Sequence, residues 1–136
     1  RVLPAFVDMG HFDFVLVLLD DVDVTAHRFD MVGFLRIAQH NNLSIATPKV
    51  EHANRGVMMD SRKECRVGRR VSRLEVFALL MAPSAYRCFF ELIDPALNGI
   101  GWGYEKMLEA FCRSWHGLSG PFHQGIVDKY VVKHRG

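Results

Sequence analysis

The sequence predicts an α/β fold in which a mostly parallel central sheet forms the middle layer of a three-layer sandwich. The first observation is an unbroken apolar run at residues 14–19, which is typical of a strand buried on both faces. The second is that helical and strand patterns alternate after it, as they do where a helix connects two parallel strands. We therefore expect residues 14–19 to form the central strand, with helices near residues 28–40 and 104–114 covering its faces.

Length and composition limit the class of protein. A chain of 136 residues suits a single domain, residues 1–136, with room for a substantial core. Hydrophobic residues make up 49% and charged residues 24%, so the chain should fold. The net charge of +2 does not by itself indicate a polyanionic partner, and no nucleic acid is expected. No apolar run approaches the roughly 20 residues of a membrane-spanning helix.

The first half of the chain predicts a strand, a helix and a second strand. Apolar side chains recur at helical spacing across residues 28–40, and Thr25 or Asp30 can cap that helix. A short strand at residues 43–47 follows and is stopped by Pro48. The three elements together predict a right-handed parallel crossover unit.

The second half predicts two more strands and two more helices. Residues 71–82 have apolar strand character, and Pro83 then suits the first turn of a helix. A second helix is predicted at residues 104–114, where apolar side chains again follow helical spacing. The last strand is predicted at residues 125–132.

The cysteines are odd in number and widely spaced: Cys65, Cys88 and Cys112. This spacing matches neither a zinc site nor a disulfide framework. Cys88 and Cys112 lie in apolar segments and are predicted to be buried thiols. A single disulfide bond stays open as the alternative.

Three carboxylates follow the first apolar run within four residues: Asp20, Asp21 and Asp23. Such crowding costs stability through mutual repulsion unless a cation lies there. In open α/β sheets the carboxyl ends of strands are also where ligands bind. The residues therefore predict a divalent metal with oxygen ligands, magnesium or manganese. The alternative is an acidic loop that caps the next helix.

A basic segment, residues 51–70, lacks apolar periodicity and includes Arg66, Arg69 and Arg70. A long loop of this kind is usually functional, and its arginines could hold phosphate groups. No aromatic residue is interleaved with the charges, which argues against binding single-stranded nucleic acid. The alternative is a solvated loop.

Two further features lie in the second half. A glycine-rich turn at residues 98–104 allows a close backbone approach, and Trp102 offers a ring face for a sugar or base. Glu105 follows at a predicted helix start, where the helix dipole alone would favour a carboxylate. His134 ends the predicted last strand, although a histidine near a terminus is usually a surface residue.

In order along the chain, these features resemble the nucleotide-sugar glycosyltransferases of A-type fold. More closely, they resemble a glycosyltransferase-like family of unknown function found in plants and bacteria. The resemblance spans nearly all of the chain and depends on four stretches in order: VLVLLDDVDV at 15–24, LSIATP at 43–48, LEVFALLMAP at 74–83, and GWGYE at 101–105 with GIVDKYVVKH at 125–134 after it.

The resemblance implies a role for each candidate residue. Asp21 and Asp23 match the Asp-x-Asp spacing of a manganese or magnesium site, with Asp20 as a further candidate and His134 completing it. Glu105 matches the base that faces the acceptor hydroxyl. The residues implied for binding the sugar donor are Arg66, Arg69, Arg70 and Trp102. A-type folds begin with a nucleotide-binding strand and helix that this chain does not show, so we expect it to be a fragment of a longer protein.

The function implied is metal-dependent transfer of a glycosyl group from a nucleotide-diphosphate sugar to the hydroxyl of a glycan or other acceptor. The metal would neutralise charge on the leaving diphosphate, and Glu105 would deprotonate the acceptor. Two other classes stay open. One is a metal-dependent phosphoesterase, and the other is a non-catalytic relative that acts as a binding module.

Overall fold

A six-stranded mixed sheet organises the part of the chain described by the computed structural model, residues 8–52, 66–94, 96, 103–116 and 120–135. The strands are β1 (Val15–Leu18), β2 (Val22–Asp23), β3 (Ile45–His52), β4 (Arg69–Arg70), β5 (Ala78–Met81) and β6 (Gln124–His134). The helices are α1 (Met31–His40), α2 (Pro83–Leu92) and α3 (Tyr104–Ser114), and a short 3₁₀ turn covers Met9–His11.

The strand order is β1-β5-β3-β6-β2, and β4 also pairs with β6. Within the described sheet, β3 and β6 form the one parallel pair, and every other pair is antiparallel. The prediction of a mostly parallel sheet in a three-layer sandwich is therefore wrong. β1 and β3 do run in the same direction, but β5 lies between them, so they do not form the predicted crossover pair.

The predicted central strand is also wrong, because β1 lies at one end of the described strand order. Its apolar run has a different cause. Val15 and Val17 pack into the core on one face of the sheet, and Leu16 packs into the core on the other. Helices on both faces make a strand apolar throughout, whatever its position in the sheet. Beyond the strand, Leu19 is 40% exposed.

The three helices lie on both faces of the sheet. Asp30 caps α1 by accepting a hydrogen bond from the Gly33 N–H at 3.0 Å, so Asp30, and not Thr25, is the cap. The buried side chains that α1 and the sheet share on that face include Phe34, Ala38, Ala46, Leu80 and Val127. On the opposite face, the core shared by α2, α3 and the sheet includes Cys88, Phe89, Leu108, Ile45, Leu79 and Ile126.

A disulfide bond between Cys88 and Cys112 joins α2 to α3. Both residues are fully buried, as the sequence predicts, but the prediction that they are free thiols is wrong. The bond is the alternative that the sequence left open, because only the packing of the two helices brings the sulfur atoms together. The disulfide bond also tethers α3, whose second residue is Glu105.

Two further comparisons concern the lengths of the strands and helices. Strand structure within residues 71–82 is limited to β5, so the prediction of a strand starting at residue 71 is wrong. Among the described residues, every helix is too short or too polar to cross a membrane.

Candidate acid–base site at the end of the sheet

The acidic segment after β1 lies against the end of β6. The chain turns with the Val22 N–H donating to the Leu19 carbonyl oxygen at 3.2 Å, and it then enters β2. β2 pairs with β6 so that Val22 faces His134. The Arg135 N–H donates to the Asp21 carbonyl oxygen at 2.9 Å, which continues this pairing. The pairing therefore joins two distant parts of the sequence at one edge of the sheet.

Asp21 and His134 form the central contact of the site. His134 Nε2 lies 2.8 Å from Asp21 Oδ2, and the histidine side chain is only 13% exposed. The imidazole ring also packs on Phe77, with ring centroids 4.2 Å apart and an interplanar angle of 33°. The resemblance to A-type glycosyltransferases implies that His134 and at least one aspartate approach within about 6 Å, allowing for metal–ligand bonds of roughly 2 Å each. That proximity is confirmed.

Asp23 has different partners. Arg135 Nη2 donates a hydrogen bond to Asp23 Oδ2, and Thr25 donates from both its backbone N–H and its hydroxyl to Oδ1, at 2.8 and 2.7 Å. The hydrogen bond from Arg135, followed by those from Thr25, holds the pKa of Asp23 well below its ordinary value. Asp23 is therefore a carboxylate stabilised in its charged form by the end of β6 and by its own turn.

This pairing predicts an acid-labile contact. Because the pKa of Asp23 is lower in the folded chain than in the unfolded one, its contribution to stability is complete above the unfolded value of 3.8 and is lost as the pH falls below it. We expect the wild type to lose more stability than Asp23→Asn between about pH 5 and pH 2. Urea unfolding at several pH values measures this difference. Parallel losses in the two proteins would contradict it.

Two basic side chains of the chain itself lie against the acidic cluster. His134 pairs with Asp21 and Arg135 pairs with Asp23, whereas Asp20 is exposed. Asp21 Oδ1 is buried and has no hydrogen-bond partner among the described residues, which is the one feature that favours a ligand. However, no group of three or more His, Cys, Asp or Glu side chains within the described ranges lies close enough to hold a metal. In this arrangement the residues do not fit the predicted metal site.

Glu75 is a site residue that the sequence reasoning missed. It is half-buried, and burial raises its pKa; the nearby Glu105 carboxylate raises it further, while His134 acts in the opposite direction. Glu75, Glu105 and His134 are therefore close enough for their charges to interact. The available signal was a single carboxylate inside an apolar segment, between Leu74 and Val76.

Glu105 has the local role that its position at a helix start suggests. Gly103 precedes α3 with a φ of 93°, in the left-handed region that favours glycine. Its N–H donates to Glu105 Oε2 at 3.0 Å. The Glu105 carboxylate thus fixes the start of α3, and its charge contributes to the raised pKa of Glu75.

The predicted donor-binding arginines lie elsewhere. Arg69 pairs with Ile126 in the strand register, and its Nε lies 3.2 Å from Asp128 Oδ2 in a largely buried ion pair. Arg70 Nη2 donates to the Asn41 carbonyl oxygen at 3.4 Å, and Arg66 is exposed. β4 pairs with the start of β6, whereas His134 ends it. The β3 residues opposite Ile126 and His134 are Thr47 and His52, five positions apart, which separates the two ends by roughly 15–20 Å at about 3.3 Å per residue.

The structure therefore does not bring Arg69 or Arg70 to the acidic segment, and their role in binding a sugar donor stays a prediction. Trp102 lies outside the described residues.

Comparison of the chain with protein-family models, with curated proteins and with solved structures found no match. The fold and site thus define a mixed α/β protein with a carboxylate–histidine pair and two neighbouring glutamates.

Proposed function

We propose that the chain transfers a glycosyl group from a nucleotide-diphosphate sugar to an acceptor hydroxyl, with His134 as the base. The observation that carries the proposal is the contact between His134 Nε2 and Asp21 Oδ2 at 2.8 Å. A carboxylate-bound imidazole is a common general base, and histidine is the side chain that enzymes use most often for this step. The resemblance of the sequence motifs supports the substrate class, and the contact between His134 and Asp21 supports the choice of base.

In the proposed mechanism, Asp21 determines which ring nitrogen of His134 carries the proton. When Nε2 carries the proton that is donated to Asp21, Nδ1 is the nitrogen that accepts a proton from a substrate. The acceptor proton moves to Nδ1, the acceptor oxygen bonds to the anomeric carbon, and the bond from that carbon to the diphosphate breaks. The Asp21 carboxylate stabilises the imidazolium that forms, and Phe77 covers one face of the ring.

The proposal replaces the base that the sequence predicts. Glu105 accepts the hydrogen bond that fixes the start of α3, whereas His134 is held by a separate carboxylate. Glu105→Gln and His134→Gln distinguish the two roles, because each keeps a polar side chain of similar length and removes the base. We expect the larger loss of activity in His134→Gln.

The test is an assay of acceptor-dependent release of nucleoside diphosphate. The protein is incubated with uridine- and guanosine-diphosphate sugars and a panel of hydroxyl acceptors, with manganese, magnesium or EDTA in separate arms. His40→Ala is the matched control, since His40 is an exposed histidine at the end of α1. Acceptor-dependent release that His134→Ala abolishes and His40→Ala retains supports the proposal. No release with any donor, or cleavage of phosphodiesters instead, would contradict it.

A further inference from the structure

We propose that a groove beside the C-terminal half of α1 binds a small phosphate monoester, with arginine side chains holding the phosphate and apolar side chains holding the group esterified to it. This α1 groove lies near the start of β6, whereas His134 ends that strand. It is therefore separate from the acid–base site, and its ligand does not depend on the proposed function. The groove combines a cavity, apolar walls and cations.

The α1 groove lies between the last turns of α1 and the segment that leads into β4. Its volume is about 630 Å³, and the residues that line it include Arg36, Ile37, Asn41 and Val67. Small-molecule sites in proteins usually have volumes of about 300–1,000 Å³, so the space suits a small ligand. Ile37 and Val67 supply apolar surface, and Val67 is 50% exposed. A ligand with an apolar part would cover this surface.

Contacts with β6 hold the wall of the groove that faces α1. The Lys129 N–H donates to the Val67 carbonyl oxygen at 3.2 Å, next to the pairing of β4 with β6. Gly68 lies so close to β6 that a Cβ atom there would be 2.7 Å from the Ile126 carbonyl oxygen. The absence of a side chain at Gly68 therefore allows this close approach. A wall held in this way needs little further ordering when a ligand binds.

Two arginines give the groove a positive charge. Arg36 lines it, and Arg70 lies at its edge, where Nη2 donates to the Asn41 carbonyl oxygen at 3.4 Å. Both arginines are exposed, and among the described residues neither forms an ion pair with an acidic side chain. The described residues that line the groove include no acid. Because a guanidinium group stays protonated, the complementary ligand is an anion.

The helix dipole of α1 does not cancel this charge. The last carbonyl groups of a helix carry about half a negative charge in total. Here the Asn41 side chain donates to the Ile37 carbonyl oxygen at 2.8 Å, and the Leu43 N–H donates to the Ala38 carbonyl oxygen at 3.0 Å. These hydrogen bonds satisfy part of the helix end, and the two arginines together carry two full positive charges.

These features favour a phosphate monoester over other anions. Guanidinium groups bind phosphate oxygens through pairs of parallel hydrogen bonds, which a planar fork of N–H donors makes well. A phosphate monoester carries about −1.5 to −2 charges near pH 7, which matches two arginines better than the single charge of a carboxylate does. The apolar surface of Ile37 and Val67 favours an ester of an aromatic or aliphatic alcohol over free phosphate.

The experiment titrates nitrogen-15-labelled protein with phenyl phosphate, inorganic phosphate and phenol, and follows the amide signals of Ile37, Asn41 and Val67. We expect phenyl phosphate to shift these signals saturably, with a Kd below about 1 mM, and to bind at least about tenfold more tightly than inorganic phosphate or phenol. Arg36→Gln and Arg70→Gln should each weaken its binding by about tenfold, because each removes charge-assisted hydrogen bonds to the phosphate.

Two further variants separate the apolar contact from the charge and from general effects. Val67→Ser should weaken the binding of phenyl phosphate by about threefold or more and leave that of inorganic phosphate unchanged, because it removes apolar surface only. Arg87→Gln is the matched control, since Arg87 is an exposed arginine on α2, on the opposite face of the sheet, and it should bind phenyl phosphate as the wild type does.

Three results would overturn the inference. They are the absence of saturable shifts at the groove amides, equal affinities for phenyl phosphate and inorganic phosphate, and equal losses of affinity in Arg36→Gln and Arg87→Gln. Each substituted residue is exposed, so we expect every variant to keep the wild-type unfolding temperature within a few degrees, about the effect of an ordinary surface substitution.

Discussion

Replacing His134 with alanine is expected to lower kcat by about 10²- to 10⁴-fold, the usual contribution of a positioned general base. The substitution removes the proton acceptor and leaves Asp21 without its partner at 2.8 Å. Because the imidazole also packs on Phe77, a moderate loss of stability should accompany it. His134→Gln separates the two effects, since an amide can still donate to Asp21 but cannot act as the base.

The measurement is kcat and KM for nucleoside diphosphate release, together with the thermal unfolding of each variant. We expect kcat to fall in both variants, with a smaller change in KM, and the unfolding temperature to fall less in His134→Gln than in His134→Ala. Asp21→Asn should lower kcat by a smaller factor, because it leaves the base in place. Wild-type kcat in His134→Gln would show that the histidine is structural only.

Removing the disulfide bond should produce the largest change in stability. Cys88 and Cys112 are 24 residues apart in sequence, and closing a loop of that size stabilises the folded chain by about 3 kcal/mol through the entropy of the unfolded chain. For a chain of 136 residues, this corresponds to a fall of about 10 °C in unfolding temperature for Cys88→Ser/Cys112→Ser. Calorimetry with and without reductant measures it.

The control for the disulfide prediction is the reductant itself. Dithiothreitol should lower the unfolding temperature of the wild type toward that of the double variant and should leave the double variant unchanged. The effect should extend to the site, since the bond tethers α3, whose second residue is Glu105. A wild type that unfolds at the same temperature with and without reductant would contradict the prediction.

Local signals predicted much of the secondary structure. Helical spacing and a capping Asp30 predicted α1, Pro83 marked the first residue of α2, and an apolar run predicted β1. The order and direction of the strands could not be predicted in the same way. They depend on pairings between distant residues, and β5 enters between β1 and β3 from a later part of the chain. The strands β2 and β4 are two residues long and carry no periodicity that could reveal them.

The sequence predicted the part of the candidate site that lies at the ends of two strands, where acidic residues and a histidine occur. The acids after β1 and the histidine at the end of β6 each stood out in sequence, and the structure brings Asp21 and His134 together. The sequence predicted a metal beside the acids because an acidic cluster does not reveal which side chains of the chain lie against it. The side chains that contact Asp21 and Asp23 are those of His134 and Arg135, and only the pairing of β2 with β6 places them there.

The central claim, that Asp21 holds His134 as a base, is tested most directly by nitrogen-15 NMR of the imidazole. Long-range proton–nitrogen spectra of the wild type and Asp21→Asn report which ring nitrogen carries the proton, with His134→Gln used for assignment. The structure predicts that neutral His134 carries its proton on Nε2 in the wild type, because Asp21 Oδ2 lies 2.8 Å from that nitrogen, and that Asp21→Asn shifts the Nε2 resonance because an amide replaces the carboxylate acceptor. A proton on Nδ1 in the wild type, or identical His134 signals in the two proteins, would contradict the claim.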